Sequence, residues 1–144
     1  MSPFSNQLKT LRIGRGLRQS ELADLLGYDQ SYVSSLELGI KGPPTGEFVG
    51  HLISRLQLTS DEQATLLEAV AASYRNISVP NDAPENVFWL FYRLRQQIDH
   101  LHPAQIALFE AALNLPQEFN RPIQETAPRI KRRYINNSKQ EAEM

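Results

Sequence analysis

The chain contains no cysteine. That absence excludes a disulfide scaffold, a thiolate nucleophile and Cys-bound zinc. Charge of one sign is lacking as well: 15 Lys and Arg stand against 16 Asp and Glu, a net charge of −1. This argues against wholesale coating of a polyanion but leaves room for a local basic patch. Long apolar runs are missing. The longest, Val87 to Tyr92, falls far short of the roughly 20 residues needed to span a bilayer. The opening stretch, MSPFSNQLKT, lacks the charged start and apolar core of a secretory signal, so a soluble cytoplasmic protein with no membrane partner is expected. What is present is ordinary globular composition, 41% hydrophobic, 22% charged and 8% aromatic over 144 residues. That suits one domain, or one small domain with an appendage.

Enzymatic signatures are equally scarce. The histidines are His51, His100 and His102. The last two lie two apart, which on a helix points them in different directions, so they make a poor metal pair. There is no glycine-rich phosphate loop, no Ser in a G-x-S-x-G elbow and no H-E-x-x-H. No catalytic residue, metal ligand or cofactor is assigned, and the chain is not expected to be an enzyme.

The first half reads as short helices with tight punctuation. Helix one covers about 3–14, with Ser2 before Pro3 at its start and Phe4, Leu8 and Leu11 at helical spacing. Helix two runs from about Arg18 to Leu26 and stops at Gly27. Helix three follows Asp29, a good N-cap, and runs to Leu38 before Gly39. After the loop GIKGPP, helix four begins at Thr45 and carries Phe48, Val49, Leu52, Ile53 and Leu56. Helix five opens on the capping box Thr59-Ser60-Asp61-Glu62 and carries Leu66, Leu67 and Val70. No β-alternation lasts four residues, so the fold class is all-α.

Six of the nine prolines lie beyond residue 79, and the second half is correspondingly broken. The predicted organisation is a domain over 1–75, a linker over 76–84, a helical extension over 85–116 and an irregular, partly basic tail over 117–144. Within the extension a strongly apolar helix is expected over about 83–101, capped by Asp82 and Glu85. His102-Pro103 restarts a helix that ends before Pro116. The tail carries one short basic helix near 128–135.

The functional signal lies between Gln19 and Leu38. Leu22, Ala23, Leu26 and Tyr28 line one side of helix two and the turn, and Val33 and Leu36 lie on the inner face of helix three. Two helices crossing at about 90–120° through a short turn require this arrangement. Ala23 keeps helix two thin, and Gly27 permits a positive φ. Gln30, Ser31, Ser34 and Ser35 are left facing outward, and a short exposed helix rich in small polar side chains suits the floor of a DNA major groove.

These residues carry a resemblance. Leu17-Arg18-Gln19-Ser20-Glu21-Leu22-Ala23, then Leu26-Gly27, then Gln30 through Gly39, resembles the Xre/Cro family of helix-turn-helix regulators over roughly residues 5–72. The resemblance implies a five-helix repressor-like domain followed by a C-terminal helical extension. It places Gln30, Ser31, Ser34 and Tyr32 where the family reads base edges. An amide such as that of Gln30 bonds adenine bidentately, and the ring of Tyr32 meets a thymine methyl or its hydroxyl a phosphate. It places Gln19 where the family grips the DNA backbone and braces the reading residue, with Arg18, Lys41, Thr45, Lys9 and Arg15 supplying further backbone contacts. It also implies a structural ion pair between Arg12 and Glu37. Arg18 departs from the family by standing where Thr or Ser often caps helix two, and Ser35 and Leu38 replace residues that are often basic. Binding is therefore expected to lean more on dimerisation than on phosphate neutralisation.

In the second half, Val87, Leu90, Phe91, Leu94, Ile98 and Leu101 fall on one helical stripe, while Phe88, Trp89 and Tyr92 cover another side. One face is expected to pack on Ile106, Phe109 and Leu113 of the next helix. The remainder, including Val87, Phe88, Trp89, Phe91, Leu94 and Ile98, is the expected dimer or partner contact, the alternative being a wholly intramolecular core with the N-terminal domain. The cluster Arg129-Lys131-Arg132-Arg133 is the densest positive charge in the chain and reads either as a phosphate-binding arm or as a solvated tail. The partners expected are double-stranded operator DNA and a second copy in a homodimeric repressor. The alternative is an antitoxin or adaptor that binds another protein.

Overall fold

A computed structural model describes residues 1–115; the basic cluster at 129–133 and the short helix expected near 128–135 lie outside the described residues. The described residues form α1 (Pro3–Gly14), α2 (Gln19–Leu26), α3 (Gln30–Glu37), α4 (Gly46–Arg55), α5 (Ser60–Ala72), α6 (Glu85–Gln97), a 3-10 turn (Ile98–His100) and α7 (Pro103–Leu113). No strand occurs among them. The described residues divide into two units, Met1–Ala83 and a second that begins at Pro84.

Local chemistry explains most boundaries of the first unit. Ser2 Oγ accepts from the Ser5 N–H at 3.1 Å, and Pro3 occupies the first turn of α1, where its missing N–H costs nothing. Arg18 caps α2 with no side-chain acceptor, and Glu21 Oε2 instead accepts the Arg18 backbone N–H at 2.7 Å. Gly27 ends α2 in the left-handed region at φ 78, and its N–H returns to the Ala23 carbonyl at 2.9 Å. The reciprocal box predicted at α5 is present: Thr59 Oγ1 accepts from the Glu62 N–H, and Glu62 Oε2 accepts from the Thr59 N–H.

The core of this unit gathers one stripe from each of the five helices. Phe4, Leu8, Leu22, Val33, Leu36, Phe48, Leu52 and Leu66 are essentially sealed from solvent. Phe48 meets Phe4 edge-on at 6.4 Å and also receives Tyr28 and Tyr32 against its ring. Behind α5 the chain is tied back. The buried Ser73 hydroxyl accepts from the Phe4 N–H at 2.9 Å and donates to the Ala69 carbonyl at 2.6 Å, while Arg75 Nη2 donates to the Gly39 carbonyl at 2.8 Å. Gly39 itself, at φ 72, lies so close to Met1, Ser2 and Ser5 that an added Cβ would approach Ser5 Oγ at 3.3 Å.

The second unit departs from its sequence reading. The helix expected over 83–101 is shorter, because α6 ends at Gln97 and tightens into the 3-10 turn. Its N-cap is Pro84, with no side-chain bond from Asp82 or Glu85. His102 starts α7 by accepting the Ala104 N–H on Nδ1. Ile106, Phe109 and Leu113, onto which one face of α6 is expected to pack, remain 45%, 42% and 84% exposed. No residue of α6, the 3-10 turn or α7 is buried.

Candidate nucleic-acid interface

α3 is an amphipathic eight-residue helix with its apolar side sealed. Val33 and Leu36 are fully buried beneath it, which fixes its rotation and turns the opposite side outward. On that side Gln30 and Ser31 are exposed, and Tyr32, Ser34 and Ser35 are half-buried. Asp29 occupies the N-cap position, yet its side chain makes no capping bond. Its backbone carbonyl accepts from the Tyr32 and Val33 N–H groups instead.

A groove of about 770 Å³ runs beside the helix, lined by Asp24, Gly27, Tyr28, Asp29, Ser31, Tyr32, Ser35 and Lys41. The fold thus brings together Ser31, Tyr32 and Lys41 from the predicted contact residues, while Gln30 and Ser34 lie outside the groove lining. Tyr32 is braced on its neighbours: its ring stacks on Tyr28 at 5.4 Å, and Lys41 Nζ sits 5.5 Å from its centroid. Partial burial pushes the Tyr28 phenol above its ordinary pKa, with smaller contributions from Glu47 and Tyr32, so it stays protonated. Ser35 Oγ donates to the Tyr32 carbonyl at 2.7 Å, which leaves its lone pairs as the polar feature it offers to the groove.

Five residues of this groove were not singled out as contacts in the sequence: Asp24, Gly27, Tyr28, Asp29 and Ser35. Tyr28 reads as turn packing, which it also does, and Asp29 as a cap, whose position it holds without a side-chain capping bond. Ser35 carried a usable signal, because it follows Ser31 by four residues and so shares its helical face.

α3 is locked from behind by a charged brace. Arg12 Nε and Nη2 donate to the two oxygens of Glu37 at 2.6 and 3.1 Å, and Arg12 Nη1 donates to the Leu17 carbonyl at 2.8 Å. Glu37 is buried, and it holds the Arg12 guanidinium proton more tightly than usual, mainly through these hydrogen bonds. Gln19 joins the brace, with Nε2 donating to Glu37 Oε2 at 2.8 Å. Its amide N–H is therefore directed inward at α3, with the side chain half-buried.

The remaining predicted backbone-contact residues fall in separate places. Arg15 does not stand free. Its guanidinium makes a two-pronged pair with Glu62, both bonds 2.8 Å, and reaches the Leu56 carbonyl. Arg15 and the Thr59 N–H hold the Glu62 carboxylate down to about 2. Thr45 spends its hydroxyl on the Phe48 N–H at the start of α4. Arg18 is exposed at the start of α2. Lys9 lies on α1, in a smaller hollow of about 480 Å³ with Met1, Asn6, Thr10, Ile13 and Gly14. Among the described residues no group of three or more His, Asp or Glu is placed to hold a metal, and no helix is long and apolar enough to cross a membrane.

Two helices joined through a left-handed glycine, with the second presenting a polar face and anchored by an internal ion pair, make up the geometry of a known module. A model of the helix-turn-helix domain family matches residues 3–66. Residues 3–66 are a helix-turn-helix domain. The match agrees with the Xre/Cro resemblance carried by Leu17 through Gly39. No curated protein matches the chain, and no solved structure matches it either. A helix-turn-helix domain is a DNA-binding module, which gives the chain the character of a DNA-binding regulator.

Proposed function

We propose that this chain is a sequence-specific transcriptional repressor that binds an inverted-repeat operator as a homodimer. The observation that supports this most is the state of α3. Its inner side is locked by Val33, Leu36 and the Arg12–Glu37–Gln19 brace, and its outer side offers Gln30, Ser31 and Ser34 to solvent. In this reading α3 enters the major groove and those side chains meet base edges. Tyr32 and Lys41 meet the groove wall and an adjacent phosphate, and Arg18 and the start of α4 add backbone contacts that set register. A two-fold pair of such helices addresses half-sites about 34 Å apart. Repression follows from occupying a promoter. With a net charge near zero, affinity leans on having two half-sites more than on neutralising many phosphates.

Selection from random-sequence DNA by the purified chain, with the recovered complexes sized by mass, tests this. The expected result is one enriched inverted repeat carrying two chains. Enrichment of no motif overturns the reading. It would favour the alternative, an antitoxin or adaptor, for which the uncovered apolar surface of α6 and α7 is the supporting observation. Co-purification of an unrelated small protein would then be expected.

A further inference from the structure

The second unit has helices but nothing buried inside them. Among its described residues, ten large apolar side chains stand between 42% and 84% exposed. Taking roughly half of the 150–250 Å² that a large aromatic side chain can bury, Phe88, Trp89 and Tyr92 on α6 offer on the order of 300 Å², the apolar centre of an interface whose rim is polar.

α6 is two-sided. Val87, Phe91 and Leu94 lie on one side and are half-buried. The other side, at helical spacing, carries Glu85, Phe88, Trp89, Tyr92 and Gln96, flanked by Arg95. Phe88, Trp89 and Tyr92 are 48%, 54% and 53% exposed. This aromatic side is already organised. Trp89 Nε1 donates to Glu85 Oε1 at 3.1 Å, and the Trp89 and Tyr92 rings meet edge-on at 5.8 Å.

The charges on this side say what fits it. Glu85 lies in the first turn of α6 and Arg95 in the last. Two copies packed in parallel would set like charges against each other. Packed antiparallel about a two-fold axis near residues 90 and 91, they would set Glu85 beside the partner's Arg95 at both ends and Trp89 beside the partner's Tyr92 in the middle. A surface complementary to itself under a two-fold rotation is what an isologous dimer requires. We propose that the aromatic side of α6 is the homodimer interface, with the α6 helices of two copies packed antiparallel. The choice of a second copy as occupant rests on the two-fold operator reading above.

The chain carries a single tryptophan, so Trp89 emission reports this surface directly, and the experiment needs no DNA. Across a micromolar dilution series followed by sedimentation and tryptophan fluorescence, a two-chain species is expected. Trp89 emission should shift to the blue as the dimer forms. Glu85→Arg and Arg95→Glu should each weaken dimerisation about fivefold or more, since each sets like charges together at both ends, and the double swap should return it to within about twofold of wild type. Both positions are exposed, and circular dichroism checks that the helices remain. A chain that stays monomeric overturns the proposal and points to another protein as the cover. A dimer whose Trp89 emission ignores concentration overturns this face. A double swap weaker than either single variant overturns the antiparallel arrangement. Because selection of an inverted repeat is measured separately, failure here leaves the DNA-binding reading standing, and the reverse also holds.

Discussion

Replacing Arg12 with Met removes the guanidinium that faces Glu37 and leaves a carboxylate, 4% exposed at its side chain, with only the neutral Gln19 amide as donor. Breaking a buried pair from one side costs about 3–5 kcal/mol, and the 13% exposure of the Arg12 side chain places this case at the lower end, about 3 kcal/mol. At roughly 4–8 °C per kcal/mol for a domain of this size, the melting temperature should fall by roughly 12–24 °C. The loss comes from the stranded charge rather than from the attraction itself. The double variant Arg12→Met/Glu37→Leu, which removes both partners, should therefore recover to within about 1.5 kcal/mol of wild type. Urea denaturation of wild type, both single variants and the double variant, followed by far-ultraviolet circular dichroism at pH 7, measures the cycle. A cost for Arg12→Met below about 1 kcal/mol, the value of an exposed pair, would refute this reasoning. So would a double variant less stable than the single.

Three further outcomes are expected. The Arg15–Glu62 pair gives acid sensitivity of known sign. The folded-state pKa of Glu62, about 2, lies below its ordinary 4.5, so the pair's stabilisation is complete above about 4.5 and lost as pH falls towards 2. The stability gap between wild type and Glu62→Gln should accordingly close across that window in pH-dependent thermal melts; a gap that stays constant would contradict it. Lys41→Ala should weaken DNA binding about equally across sequences and lower the slope of log K against log salt by about 1, read by fluorescence anisotropy at several salt concentrations. An unchanged slope would remove Lys41 from the phosphate contacts. Ser73→Ala should cost about 1–3 kcal/mol in urea denaturation, because it strips the buried Phe4 N–H of its acceptor.

How much of this was legible in the sequence depends on how local the determinant is. Pro3 after Ser2, Gly27 after Leu26 and the Thr59–Glu62 box each act within four residues, and helix boundaries read from them lie within a residue or two of those in the structure. The stripes that build the core, such as Phe48 and Leu52 or Val33 and Leu36, follow from helical period alone. What was not legible depends on partners distant along the chain. Nothing near Arg15 indicates that a carboxylate 47 positions away claims it, and nothing near Ser73 indicates the Phe4 N–H. Gln19 reads in the sequence as a backbone grip and a brace for the reading residue, and only the packing of α3 shows that its amide holds Glu37. Asp29 shows the reverse error, since a residue of the right type at the right place leaves its side chain uncapped. The cover of the extension was illegible for a third reason. Apolar residues on several sides of a helix say that it is covered, and periodicity does not say by what.

The central claim is that the outer side of α3 reads bases. It is tested most directly by repeating the random-sequence selection with Gln30→Ala beside wild type. Gln30 is exposed and makes no part of the core, so the variant should fold as wild type does, checked by its melting temperature. The account predicts the same inverted repeat with one symmetric pair of positions relaxed, and a loss of about 1–3 kcal/mol on the wild-type operator. An unchanged motif bound with unchanged affinity would contradict it.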